Sequence, residues 1–299
     1  MNAIPKKSAL RAVTPKAAQP SKAKVLIFGR PGVGKTWAAL DFPGVYYLDT
    51  EGGADLPHYT DKLDRAGGVY MGVDQGSLDF DVVIGQVKAL ATERHEHRTL
   101  VIDSVSKLFG HAMAMEAERL GDKNAFGADK KAAVNQMRIL VSWLSRLDMN
   151  VVLVAHEVAE WGMVNKQRQQ IGATFDAWDK LEHELHLALH ITKEGSSRYA
   201  TVRKTRLLGF PDGERFPWSY DEFAQRFGRE AIEGASEPIT LASAETVTEI
   251  ERLVAVMNRQ DWSAKVLTAA NATTWAETTS EQAEKSLAYL NDQITKGPA

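Results

Sequence analysis

The run Gly29-Arg30-Pro31-Gly32-Val33-Gly34-Lys35-Thr36 places a glycine, four variable residues and then Gly-Lys-Thr in the spacing of a phosphate-binding loop. Each fixed residue type has a task. Glycines let successive backbone N–H groups turn toward phosphate oxygens, and a helix start behind them adds its positive end. Lys35 is expected to reach the β- and γ-phosphates of a nucleoside triphosphate, and the Thr36 hydroxyl to ligate Mg²⁺. Trp37, next on the helix start, completes the nucleotide-binding set. Such a site also needs a carboxylate for the magnesium shell. Asp103, which closes the apolar run Leu100-Val101-Ile102, fits that second metal-site role. Hydrolysis further requires a group that orients or deprotonates water. Ser104 follows Asp103 and is no base, so Glu51, just past another apolar run, is the candidate. It would point into the crevice outside the carboxyl edge of a sheet.

The elements that must position these residues are legible as short apolar runs alternating with helical segments. Residues 24–28 read as a buried strand before the loop, and 37–40 as a helix start. Residues 45–49, 99–103 and 150–155 read as further buried strands. Helices are expected over 82–94, 105–120 and 130–147, with the polar stretch 121–129 between the last two. Residues 157–180 read as irregular and polar. Residues 185–191 alternate cleanly, and Glu194-Gly195-Ser196 turns them into a partner strand over 198–206. The fold class is therefore α/β, a mostly parallel sheet flanked by helices and ending in an antiparallel hairpin. Pro238 marks a boundary before a small helical module. There Val247, Ile250, Leu253, Val254 and Met257 make one apolar stripe. Thr279 with Gln282 forms a capping box for a last helix carrying Ala283, Leu287, Leu290 and Ile294. The expected division is a disordered basic arm over 1–22, a core over 23–228, a linker over 229–240 and a helical domain over 241–299.

Composition bounds the rest. The 299 residues, 44% of them hydrophobic, suffice for one large α/β domain and an appendage. The absence of cysteine excludes disulfides and thiolate metal sites and suits a reducing cytoplasm. No run approaches the length of a membrane span, and the N-terminus lacks an apolar signal core, so no membrane association is expected. His183, His186 and His190 invite a metal reading, but strand positions four apart lie roughly 13 Å from each other. No metal beyond Mg²⁺ is expected. A net charge of −3 is not the footprint of a global nucleic-acid binder, so any DNA contact must come from local patches.

Leu48-Asp49-Thr50-Glu51-Gly52 and Val101-Ile102-Asp103-Ser104 resemble the corresponding segments of the RecA-like recombinases over residues 24–228. The compact core is most similar to phage RecA-core proteins that anneal single strands. In that family the glutamate after the second strand is the catalytic base, and the Walker B aspartate precedes a serine. The resemblance implies an ATPase with ATP and Mg²⁺. It further implies a homo-oligomer (ring or filament) on single-stranded DNA, a single-strand-binding protein as a further partner, and the cytoplasm of a bacterial host.

Residues 151–157 resemble the family's sensor strand, with His156-Glu157 in place of the usual Asn-Gln. Either residue could bond the phosphate or the water, and His156 is the favoured sensor because Glu157 beside a triphosphate is electrostatically awkward. Two DNA-binding loops are implied. The first takes Lys123, Phe126, Lys130 and Lys131, and the second Trp161, Lys166 and Arg168. Cations would follow the backbone while aromatics stack on bases. Lys204 and Arg206 resemble paired cations that reach a neighbouring subunit's nucleotide. Annealing or strand exchange in phage-type recombination is the implied function. The alternative is a nucleotide-switched accessory or loader protein for replication with little hydrolysis of its own.

Overall fold

The computed structural model describes residues 22–53 and 56–295. Most of the basic arm lies outside them. Lys22, at its end, is instead built into the fold, donating to the Gly234 carbonyl at 2.6 Å.

In chain order the elements are β1 (Lys24–Gly29), α1 (Lys35–Ala39), β2 (Val45–Asp49), α2 (Pro57–Arg65), β3 (Val69–Met71), α3 (Phe80–Thr92) and β4 (Thr99–Asp103). They continue with α4 (Val105–Leu120), α5 (Ala128–Arg146), β5 (Asn150–Val164), β6 (Gln167–Phe175), α6 (Leu181–Glu184), β7 (Leu187–Glu194) and β8 (Ser197–Thr205). The last are β9 (Arg215–Pro217), α7 (Tyr220–Phe227), α8 (Arg229–Glu233), α9 (Ala244–Val256), α10 (Gln260–Ala269) and α11 (Ser280–Thr295).

The sheet runs β3-β2-β4-β5-β1-β7-β8-β9, parallel from β3 to β7, with β8 and β9 antiparallel. β1, β4 and the first half of β5 are buried on both faces, which is why they read as unbroken apolar runs. One face packs on α3, α4 and α5 through Val83, Val87, Leu108, Met137, Leu140 and Leu144. The other packs on α1, α7 and α8 through Ala39, Phe223 and Ile232. This is the expected α/β architecture.

Two segments differ from expectation. Residues 157–175 are not irregular, and only 176–180 are. β5 continues past its buried half to Val164 and pairs antiparallel with β6 to form a hairpin arm. Asn165 (φ 53°) and Lys166 (φ 65°) make its two-residue turn, a geometry usually announced by Asn-Gly. A bulge between Glu160 and Trp161 shifts the register and so breaks the period-2 pattern that marks a strand. The segment expected as a linker opens instead with α8, whose Ile232 is fully buried against the core.

The C-terminal helices have their own core of Ile250, Leu253, Trp275, Ala283 and Leu290. The Thr279–Gln282 capping box forms, with hydrogen bonds of 3.1 and 3.3 Å. The module docks beside the last turns of α3 and α5, where Lys88 Nζ meets the Glu277 carboxylate at 2.7 Å and Arg146 donates to the Glu277 carbonyl. That is the amino edge of the sheet. Among the described residues no helix is long and apolar enough to cross a membrane.

Candidate nucleotide site

The site is assembled at the carboxyl edge, where β1, β2 and β4 end and β5 passes out of the core. β1 delivers the P-loop. Gly29 lies so close to β7 that a Cβ there would stand 2.3 Å from the Ile191 carbonyl oxygen, and Gly32 and Gly34 take φ of 77° and 89°. Side chains would obstruct the first position and strain the other two. α1 begins at Lys35. Its ammonium donates to the carbonyls of Gly29 and Arg30 at 2.8 and 3.1 Å. Burial pulls the Lys35 pKa down, against the opposing pull of Asp103, Glu51 and Glu157.

The Thr36 hydroxyl donates to Asp103 Oδ2 at 2.6 Å. One strand, β5, separates the strand ending in the P-loop from the strand ending in Asp103. Asp103 is buried, and desolvation raises its pKa to about 6 despite the hydrogen bond from Thr36. A hydroxyl and a carboxylate converging at this distance suit a small hard cation.

β2 and β4 are stitched together beyond their ends. Thr50 N donates to the Asp103 carbonyl at 2.8 Å, and Thr50 Oγ1 exchanges hydrogen bonds with the backbone of Ser104. Asp49 Oδ1 accepts from the amides of Glu51 and Gly52 at 2.9 and 3.0 Å. This fixes the turn that aims Glu51 across the cleft, where its carboxylate meets His156 Nε2. Burial opposes ionisation of Glu51, but hydrogen bonds from Ser104 and His156 outweigh it and hold the pKa below the usual carboxylate range. His156 is placed from behind by its own amide, which donates to Ser106 Oγ at 2.8 Å. Glu157 turns the other way, to Arg30 at 3.2 Å and His190 at 2.8 Å. The negative charge next to the P-loop is thereby partnered.

Lys35, Thr36, Glu51, Asp103, His156 and Glu157 line one cleft of about 850 Å³, together with Pro31, Gly32, Gly34 and Trp37. It also takes in five residues that sequence reasoning missed, namely His58, Tyr59, Val158, Asp176 and Arg198. His58 and Tyr59 stand on α2, each ring 6.3 Å from that of Trp37, and Lys62 Nζ sits 3.9 Å over the Trp37 ring. Aromatic walls of this kind stack planar bases. Nothing local marks His58, Tyr59 or Asp176 in the sequence, since only the fold brings them to the loop.

Lys204 and Arg206 are elsewhere. β8 runs antiparallel to β1, so its later residues sit at the amino edge, away from the chain's own P-loop. Their head groups donate to the carbonyls of Leu185 and His183 in the same chain. The cation that β8 brings to the cleft is Arg198, at the other end of the strand.

The DNA candidates form two exposed groups. Lys123, Lys130 and Lys131 surround a turn in which Phe126 is fully exposed with φ 55°. Trp161, Lys166 and Arg168 lie on the arm, where the Arg168 guanidinium stands 5.4 Å from the Trp161 ring centre.

Strand order, P-loop, the Thr36–Asp103 contact and a glutamate at the end of β2 together define a P-loop nucleotide-binding fold of RecA-like type. Residues 21–213 match the family model described as an AAA domain, AAA_24, and the chain belongs to that family. No curated protein matches the sequence. Among solved structures, the RadB recombinase aligns at 16% identity and TM-score 0.43, covering 68% of this chain and 89% of that one. An ATPase from the type III secretion system of pathogenic bacteria aligns at 13% identity and TM-score 0.38, covering 90% of this chain and 79% of that one.

Proposed function

We propose that this chain binds ATP with Mg²⁺, hydrolyses it, and couples the nucleotide state to single-stranded DNA held by the hairpin arm and the Phe126 turn. The observation that carries the reading is the convergence of Lys35, Thr36, Asp103, Glu51 and His156 on one cleft. Thr36 and Asp103 would hold Mg²⁺, which supplies positive charge to the phosphate oxygens when bound. Lys35 offers its ammonium to the transferring phosphate and stabilises the charge that develops there. Glu51, steered by His156, orients the attacking water. His156 sits on the strand that continues into the arm, so a change at the nucleotide has a covalent route to the DNA candidates. Annealing or strand exchange by a self-assembled ring or filament is the activity this arrangement suits.

The contact between His156 and Glu51 also favours a second reading. A carboxylate already engaged suits a slow nucleotide switch, the accessory or loader role in replication. Phosphate release measured with and without single-stranded DNA separates the two. Strong stimulation supports the first reading, and Mg²⁺-dependent binding without turnover supports the second.

A further inference from the structure

Arg198 differs from several of the arginines that surround the core. Arg30, Arg203, Arg215, Arg226 and Arg229 each pair with a carboxylate. Arg198 is half-buried and has no ion-pair partner among the described residues. It is the second residue of β8, opposite Lys193 in the ladder, and β7 separates it from the strand that ends in the P-loop. Two inter-strand spacings, roughly 10 Å, must therefore be crossed to reach the loop, and a long arginine stem crosses them. Its backbone is fixed by the ladder and by Trp218, whose amide donates to the Arg198 carbonyl at 2.9 Å.

The far end of the side chain is also fixed. Arg198 Nε donates to the Val33 carbonyl at 2.9 Å. The guanidinium covers Gly34 so closely that a Cβ there would lie 2.3 Å from Nε and 2.8 Å from Nη2. Gly34 is thus required twice, once for its backbone angle and once to make room for this cation. The two terminal nitrogens make no hydrogen bond to the described residues, and Arg198 lines the same cleft as Lys35 and Thr36.

A guanidinium is charged at any pH a protein meets and presents a flat fork of donors that matches phosphate oxygens. Removing it from water without an anion is unfavourable, and a charge-assisted hydrogen bond to a phosphate offsets that cost. Resting on the reading that the cleft holds a nucleoside triphosphate, we propose that Arg198 is a phosphate-binding residue acting in cis. Nε fastens the side chain to the P-loop, while the terminal nitrogens bond phosphate oxygens of the nucleotide. The β7–β8 hairpin then contributes to nucleotide affinity from within the same chain, without a neighbouring subunit.

The test compares wild type, Arg198→Lys and Arg198→Gln in binding a non-hydrolysable ATP analogue with Mg²⁺ by calorimetry. Melting of each chain without nucleotide is measured alongside. The Gln variant should bind roughly 10- to 100-fold more weakly, the range expected for one charge-assisted hydrogen bond. The Lys variant should recover most of that affinity, and all three should melt alike. A Gln variant that binds like wild type overturns the proposal, because the charge is then unused. Equal weakening in the Lys and Gln variants also overturns it, because the side chain then only shapes the loop. A wild-type chain that binds no analogue removes the proposed function itself, whereas normal wild-type binding beside an unaffected Gln variant removes only the role of Arg198.

Discussion

In the proposed reaction Glu51 is the residue on which positioning of the water depends most. Its ionised form is favoured by Ser104 and His156, so at neutral pH it is a weak proton acceptor but a well-aimed one. Changing Glu51 to Gln keeps the size and one acceptor oxygen while removing the charge. Nucleotide binding should stay near normal and turnover should fall roughly 10²- to 10⁴-fold in a phosphate-release assay. Unchanged turnover would move the water-positioning role elsewhere, with Glu157 next in line. Lys35→Ala should abolish release altogether, since the developing charge would lose its main side-chain partner; retained activity would disprove the P-loop assignment. Residues of this kind were legible because phosphate binding demands fixed types at fixed local spacing. Arg198 was not, since its action spans two strands and no local pattern announces it. The same holds for His58 and Tyr59, which share no sequence neighbourhood with Trp37.

Among the elements, the arm carries the most consequence and was the least legible. Strands buried on both faces, such as β1 and β4, betray themselves by composition alone. An arm exposed on both faces leaves no such signature, and its bulge and Asn-Lys turn erase what alternation remains. No acidic residue occurs from Trp161 to Phe175, while Lys166 and Arg168 add positive charge. Replacing Lys166 and Arg168 together should weaken single-strand binding and flatten its salt dependence, by about 0.7 in slope for each phosphate no longer neutralised. Trp161→Ala should weaken binding by about 1–3 kcal/mol with the salt slope kept, because stacking releases no counterions. Anisotropy titrations across a salt series would show both effects. Identical curves for wild type and variants would clear the arm of DNA binding and favour the accessory reading.

For the molecule as a whole, Glu277 joins the C-terminal module to the core. Burial opposes its ionisation, but hydrogen bonds from Lys88 and Thr273 prevail and lower its pKa to about 2. A depressed carboxylate stabilises the folded state above its ordinary pKa, and that contribution is lost as pH falls through the folded value. Docking should therefore weaken between about pH 4 and pH 2. In Glu277→Gln, hydrogen exchange in α11 should already be faster at neutral pH and change less on acidification; exchange that matches wild type at every pH would place the docking energy elsewhere.

The opposite edge holds a different kind of joint. β5 is one uninterrupted strand from its buried start at Asn150 past His156 to Val164, braced on the way by Glu157 on Arg30 and Glu160 on Arg203. From His156 to its tip it extends about 26 Å at the rise of a strand, so a tilt of about 5° at the cleft would carry the tip roughly 2 Å. The arm is in effect a pointer with its pivot at the cleft. Its gearing turns a displacement too small to disturb the core into one of about 2 Å at the tip, longer than a covalent bond.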